Sequence, residues 1–187
     1  MRNKRGREKF LRMMPTQGMV AEIGVAAGEH ALLMKQISKP NRLYLIDPWV
    51  GKNNPNYAGS PAMQLITDAG VDILEEGEFD LTTHLDDVVA MKEYSVEASR
   101  KFPNEFFDYV YIDADHSYEA VKEDIKHWYP KIKMGGYIAG HDYRHGGKSK
   151  LAAGYGVVQA VHEFIDKNRL ELGPASWGGN DWSVMRK

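Results

Sequence analysis

The sequence predicts an α/β fold: one domain over residues 1–187, with a mostly parallel sheet covered by helices on both faces. Three observations lead there. Short apolar runs alternate along the chain with segments of helical periodicity, the order of βαβ units. The runs are apolar throughout rather than alternately apolar and polar, as strands buried on both faces are. Glycine, proline and Asp-Pro punctuate the joints between them.

Taken in order, residues 5–14 read as a helix with Phe10, Leu11 and Met14 on one side and Pro15 as its stop. That apolar side has no evident internal partner, so it suggests a homodimer. Met19–Ile23 is a buried strand that enters a glycine-bearing turn. A helix from His30 to Ile37 follows, with Leu32, Leu33 and Ile37 facing inward, and then a second strand over Leu43–Ile46 ending at Asp47-Pro48. Asn53-Asn54-Pro55-Asn56 is turn chemistry, and part of 61–76 reads as helix. Val88–Met91 is a strand, and Ser95 is placed to cap a short helix through Phe102. Phe107–Ile112 is the clearest strand. Residues 117–128 carry Tyr118, Val121, Ile125 and Trp128 at helical spacing. Gly135-Gly136 turns into the strand Tyr137–Gly140, Val157, Val158, Val161, Phe164 and Ile165 line another helix, and Trp182–Met185 is a last strand.

Composition excludes several function classes. A net charge of −2 gives no general attraction to nucleic acid or acidic membranes. The basic run Arg2, Lys4, Arg5, Arg7 and Lys9 reads as a solvated helix face. The absence of cysteine removes disulfides, zinc–thiolate sites and thiol catalysis. No stretch approaches eighteen apolar residues, and no apolar leader opens the chain. The expectation is a soluble cytoplasmic protein with no nucleic-acid or membrane partner.

In open parallel sheets, ligands sit at the carboxyl ends of the strands. The first such turn reads Glu22-Ile23-Gly24-Val25-Ala26-Ala27-Gly28-Glu29, and Asp47 follows Gly28 by nineteen residues at the end of the next strand. Glycines let a ligand approach the backbone, and a carboxylate at that spacing can accept from ribose hydroxyls. A dinucleotide turn requires Gly-x-Gly-x-x-Gly, but counting from Gly24 this chain has Ala26 and Glu29 at the second and third positions. Glu22 and Glu29 also put negative charge where a pyrophosphate needs amides and positive potential. A cationic sulfonium and ammonium suit this turn better than a phosphate, and no P-loop is present.

The ordered set Glu22-x-Gly24-x-x-x-Gly28, Asp47-Pro48-Trp49, Ser95-x-Glu97-Ala98, Phe107–Asp113 and Gly135-Gly136-x-Ile138-x-Gly140-His141-Asp142-Tyr143 resembles class I S-adenosylmethionine-dependent methyltransferases. Within that class it is similar to the small bacterial and phage branch related to macrocin-type O-methyltransferases. The resemblance implies a Rossmann-like three-layer αβα sandwich with a seven-stranded sheet whose last strand is antiparallel. It implies that Glu22, Gly24, Val25 and Gly28 line the methionine part of S-adenosylmethionine. Asp47 would hold the ribose, Trp49 would flank the adenine, Ser95 would lie near the adenine ring, and Asp113 would lie under the reacting methyl.

Methyl transfer to a hydroxyl of a small-molecule acceptor requires alignment, exclusion of water and removal of a proton. Asp113 and Asp115 follow the central strand and Asp142 ends the next, so Asp113 and Asp142 can meet over one site. With His141 they form a candidate Mg²⁺ or Mn²⁺ site, the imidazole favouring Mn²⁺. His116 and His141 are the candidate bases, with His145 less direct. Their bland alternatives are a helix cap for Asp115 or His116 and loop hydrogen bonding for His141. His127 and His162 fall on helices away from the strand ends. Tyr143–Tyr155, with Arg144, His145, Lys148 and Lys150, reads as a lid, and it and 49–70 are expected to shape acceptor choice. Three rivals carry less. A nucleic-acid amino-methyltransferase needs its Asn-Pro motif after the fourth strand, whereas Asn54-Pro55-Asn56-Tyr57 follows the second. A non-catalytic protein of this fold would not need the acid–imidazole set, and a nicotinamide oxidoreductase lacks its glycine turn.

Overall fold

The computed structural model describes residues 4–26, 28–48, 87–143, 156–173 and 180–187. The six strands are β1 (Met19–Ile23), β2 (Arg42–Asp47), β3 (Val88–Lys92), β4 (Phe107–Ile112), β5 (Ile132–Gly140) and β6 (Trp182–Met185). The helices are α1 (Lys4–Leu11), α2 (Glu29–Ile37), α3 (Ser95–Ser99), α4 (Tyr118–Trp128) and α5 (Val157–Asn168). One sheet runs β3-β2-β1-β4-β5-β6. The first five strands are parallel and β6 is antiparallel to β5. The chain builds outward from β1 to β3, then returns to place β4 on the other side of β1. That reversal opens a crevice at the carboxyl ends of β1 and β4, where ligands of such sheets bind.

The alternation of side chains across the strands divides the core in two. Val20, Leu43, Leu45, Tyr109 and Tyr111 meet α1 and α2 on one face. Ala21, Ile23, Ile46, Val110 and Ile112 meet α4 and α5 on the other. Phe107 joins the second group although Tyr109 and Tyr111 join the first. The β4–β5 register slips between Phe107 and Tyr109, and such an irregularity turns one residue to the opposite face. Helices on both faces make the expected three layers.

Several boundaries differ from the sequence expectation. Among the described residues the sheet has six strands, and the place of a seventh is taken by a single antiparallel bridge from Leu172 to Val184. β5 begins at Ile132 rather than Tyr137, because Gly135 adopts φ +78° and the strand passes through the glycine pair instead of turning there. α1 ends at Leu11, and α3 ends at Ser99. Ser95 is the first residue of α3, not its cap; Tyr94 holds the N-cap position and Ser95 turns its hydroxyl to α4. In α2 it is His30, Ala31 and Met34 that are buried, with Leu32, Leu33 and Ile37 only partly covered. The apolar side of α1 has an internal partner: Phe10 packs edge-on against Tyr111 with centroids 5.5 Å apart, and Leu11 and Met14 are buried beside it. The premise for dimerisation through α1 is therefore gone. No helix among the described residues is long and apolar enough to cross a membrane.

Candidate functional site

The turn after β1 is fixed by its backbone. Gly24 sits at φ +83°, and a Cβ there would lie 2.4 Å from the carbonyl oxygen of Asp113. Only glycine lets the end of β1 touch the end of β4 so closely. Gly28, at φ +75°, is the N-cap of α2. Asp47, buried at the end of β2, accepts from the amides of Val25 at 2.8 Å and Ala26 at 3.0 Å through Oδ2. Its first visible task is thus to brace the turn.

Glu22 stands elsewhere. It projects on the α2 side of the sheet, opposite Ile23, and is 1% exposed. It pairs with Nδ1 of His30 at 3.1 Å. Burial holds its pKa above the ordinary carboxylate value, and the hydrogen bond and charge of His30 offset that only in part.

On the Ile23 side lies a cavity of about 650 Å³, lined by Gly24, Ile46, Pro48, Ser95, Ala114 and Asp124 among others. A second cavity of about 580 Å³ lies between α4 and α5. It is lined by residues such as Lys122, Ile125 and Phe164 and contains none of the predicted site residues. The first has the position that the strand order demands.

The loop after β4, which lends Ala114 and Asp115 to that cavity, and the loop after β5 bring four predicted residues together. Asp113 Oδ1 lies 3.2 Å from His116 Nε2 and 3.6 Å from His141 Nδ1. Asp142 Oδ2 lies 3.5 Å from His141 Nδ1 and 3.6 Å from His116 Nδ1. Asp142 adopts φ +53°, a left-handed conformation that Asp tolerates better than most residues. The parallel pairing of β4 with β5 sets Ile112 beside Gly140, so the residues that follow each strand must meet. Asp115 does not join them and does not cap the helix; its Oδ1 accepts from the amide of Ser117 at 2.8 Å, a local turn ahead of α4. Ser117 itself caps α4 by accepting from the amide of Ala120.

The electrostatics of the corner are compensated. Burial alone would raise Asp113, but the His116 hydrogen bond and the charges of Arg7 and His141 outweigh it and hold the carboxyl at about 2. Burial would lower His116, yet the hydrogen bond and charge of Asp113 and the charge of Asp142 raise it. Arg7 is the unforeseen member. Its Nη2 lies 2.7 Å from Asp113 Oδ2, and its side chain is 21% exposed. The basic N-terminal run is thus not wholly a solvated face. The signal was present in the spacing: Arg7 shares the i, i+3, i+4, i+7 stripe of Phe10, Leu11 and Met14.

Asp124 was also missed. It accepts from Ser95 Oγ, which in turn accepts from Trp128 Nε1 at 2.9 Å. It too lies within an apolar stripe, that of Val121, Ile125 and Trp128. His127 stays on the outer side of α4, next to Glu123, and His162 meets the Tyr143 hydroxyl at 2.7 Å. Trp49, Asn54–Tyr57, 49–70, the helix within 61–76 and the lid residues Arg144, His145, Lys148 and Lys150 lie outside the described residues.

A family model described as a methyltransferase domain matches residues 21–143, from β1 to the residue after Asp142. The chain belongs to that family. It is an S-adenosylmethionine-dependent methyltransferase of class I, and the glycine turn, Asp47 and the β4–β5 corner all lie inside the matched segment. No curated protein matches it. Among solved structures, the methyltransferase resembles the O-methyltransferase NovP at 22% identity and TM-score 0.62, over 97% of this chain and 80% of that one. It resembles a SAM-dependent methyltransferase from Aquifex aeolicus at 16% identity and TM-score 0.57, over 95% and 87%. It also resembles the MycE methyltransferase of the mycinamycin pathway, solved with Mg and SAH, at 16% identity and TM-score 0.52, over 98% and 48%. At these identities the likeness is one of fold.

Proposed function

We propose that this methyltransferase is an O-methyltransferase of a small hydroxylated acceptor, with a divalent cation at the Asp113–His141–Asp142 corner. The observation that carries the reading is the convergence of two carboxylates and two imidazoles at the carboxyl ends of β4 and β5. A hydroxyl is a poor nucleophile until its proton is removed, and an imidazole held between carboxylates is suited to remove it. His116 faces Asp113 through Nε2 and Asp142 through Nδ1, so the imidazolium formed by that transfer is stabilised on both sides.

Bound S-adenosylmethionine supplies the methyl group on a sulfonium, which departs as neutral S-adenosylhomocysteine. With the donor bound, the acceptor oxygen would form the C–O bond as the C–S bond breaks, the electron pair would stay on sulfur, and His116 would take the hydroxyl proton. Gly24, Val25 and Gly28 present backbone to the methionine end, Asp47 serves the ribose while bracing the turn, and Ser95 lies at the adenine end.

The donor set fits a metal. Ligand atoms of Asp113, His141 and Asp142 all lie within 4.8 Å of one another, two oxygens and one nitrogen. That mixture suits Mn²⁺ or Fe²⁺ better than Mg²⁺, which prefers oxygen alone. A cation there would lower the pKa of a hydroxyl that binds it. The Mg reported with MycE supports a metal in this fold.

The test is calorimetry on the metal-stripped protein with S-adenosylmethionine, then with Mn²⁺, followed by S-adenosylhomocysteine release across phenols, sugars and amines. Micromolar donor binding, a metal heat lost in Asp142→Asn and turnover confined to hydroxyl acceptors is the expected pattern. Turnover on amines alone, with no metal heat, would overturn the hydroxyl reading.

A further inference from the structure

The cavity beside the corner contains a polar device that methyl transfer itself does not use. Trp128 is fully buried, and its Nε1 donates to Ser95 Oγ at 2.9 Å. An indole nitrogen can only donate, so Ser95 receives that bond through a lone pair and its own proton points onward. The onward partner is Asp124 Oδ1. The relay therefore has one direction, Trp128 to Ser95 to Asp124, and Oδ1 is fixed as an acceptor. Asp124 is 5% exposed, and it lines the cavity together with Ser95. No cation contacts this carboxyl among the described residues, in contrast to Asp113. Burial is the main cause that pushes it up to about 7; the nearby Asp115 and Glu123 charges add to the rise, and Ser95 opposes it.

A carboxyl in its acid form, with Oδ1 committed to accepting, carries its proton on Oδ2. It then presents an acceptor and a donor side by side, the pattern of an asparagine amide. That pattern pairs bidentately with the amino group and adjacent ring nitrogen of adenine. It opposes a 6-keto purine, whose oxygen accepts and whose neighbouring ring nitrogen donates. A cavity of about 650 Å³ is also of the ordinary size for such a ligand.

We propose that Asp124, oriented by Trp128 and Ser95, is the residue that reads the purine of the methyl donor, accepting from its 6-amino group and bonding the ring nitrogen beside it. The inference rests on the reading of this cavity as the nucleoside end of the donor site. It makes Asp124 a specificity-determining residue that acts on donor binding and not on the chemical step.

The experiment measures dissociation constants for S-adenosylhomocysteine and its 6-keto analogue S-inosylhomocysteine, by calorimetry, in wild type, Asp124→Asn, Asp124→Leu and Ser95→Ala. Wild type is expected to prefer the adenosyl compound by about 10–100-fold, the range of one good bidentate pair. Asp124→Asn keeps most of that preference, because the amide preserves the donor–acceptor pattern. Asp124→Leu loses it, by weakening the adenosyl compound and leaving the inosyl compound nearly unchanged. Ser95→Ala reduces it, since Oδ1 is no longer committed. Equal weakening of both compounds in Asp124→Leu, or an unchanged preference in that variant, would overturn the proposal while leaving the donor site intact. If Asp124→Leu fails to fold, an undiminished preference in Ser95→Ala together with a lost preference in Asp124→Asn overturns it as well. Failure of wild type to bind S-adenosylhomocysteine would instead remove the underlying donor-site reading.

Discussion

Asp113 and Asp124 are two carboxyls a short way apart along the chain, both withdrawn from solvent, with opposite electrostatic fates. Asp113 ends its strand among His116, His141 and Arg7 and is held at about 2. Asp124 projects from α4, bonded to the Ser95 hydroxyl with the Asp115 and Glu123 carboxylates nearby, and burial pushes it up to about 7. Burial acts on both in the same direction. What separates them is whether cations have been gathered around the carboxyl, which is a property of the assembled loops and not of the residue. The fold thus favours the charged form of the acid at the β4–β5 corner and the protonated form of the acid on α4.

The largest effect expected from breaking this contrast is at Asp113. Asp113→Asn removes the group that faces both imidazoles, and kcat should fall roughly 10²–10⁴-fold, the range for acid–base machinery. Donor binding measured by calorimetry should survive. A kcat within a few-fold of wild type would separate Asp113 from the chemistry.

The pH dependence of stability should run in opposite directions for the two acids. Asp124 holds its proton in the fold up to about 7 but loses it near 3.8 when unfolded. Its contribution is therefore present at acid pH and is lost as pH rises between those values, on the order of 4 kcal/mol in all. Asp113 is depressed from 3.8 to about 2, so its contribution, ~2 kcal/mol, is present above 3.8 and is lost as pH falls toward 2. Urea midpoints against pH should lose the first slope in Asp124→Asn and the second in Asp113→Asn. If each variant kept the wild-type slope, the contrast between the two environments would be wrong.

A smaller effect is expected at Arg7. Arg7→Ala removes a charge-assisted hydrogen bond of 2.7 Å to Asp113. A loss of about 2 kcal/mol is expected, roughly 4–8 °C in Tm for a chain of this size. Scanning calorimetry would read it, and a change below 1 °C would return Arg7 to the solvated face. The smallest effect is at His127, whose polar contacts among the described residues are with Glu123 of its own helix. His127→Ala should leave kcat and KM unchanged, whereas His116→Ala should not.

Much of the fold was legible because the hydrophobic pattern is strong. β1, β4 and β6 occur at the predicted residues, and the other strands overlap theirs, since an unbroken apolar run has few other ways to hide. Two of the boundaries that slipped lie at Gly135 and Ser95, where one residue supports two local conformations and only packing chooses between them. The corner was also legible, because motif order places Asp113, His116, His141 and Asp142 after neighbouring strands. The face on which Glu22 lies was not legible for a related reason. The period of a strand sends adjacent residues to opposite faces, and the motif says which residue is acidic but not which face holds the cavity.

Arg7 and Asp124 show what a linear reading undervalues. Each is a charged residue inside an apolar helical stripe, among Phe10, Leu11 and Met14 in one case and Val121, Ile125 and Trp128 in the other. A stripe position is a buried position, and a buried charge needs a partner or a proton. The sequence by itself determined the strand–helix alternation, the glycine turn, the acid–imidazole set and the family, because these depend on local pattern and order. Only the tertiary structure decided that Arg7 reaches Asp113, that Asp115 caps a turn, and that Ser95 serves Asp124 rather than its own helix. Those outcomes depend on which side chains lie within hydrogen-bond reach across the sheet and between helices, and that distance is set by packing.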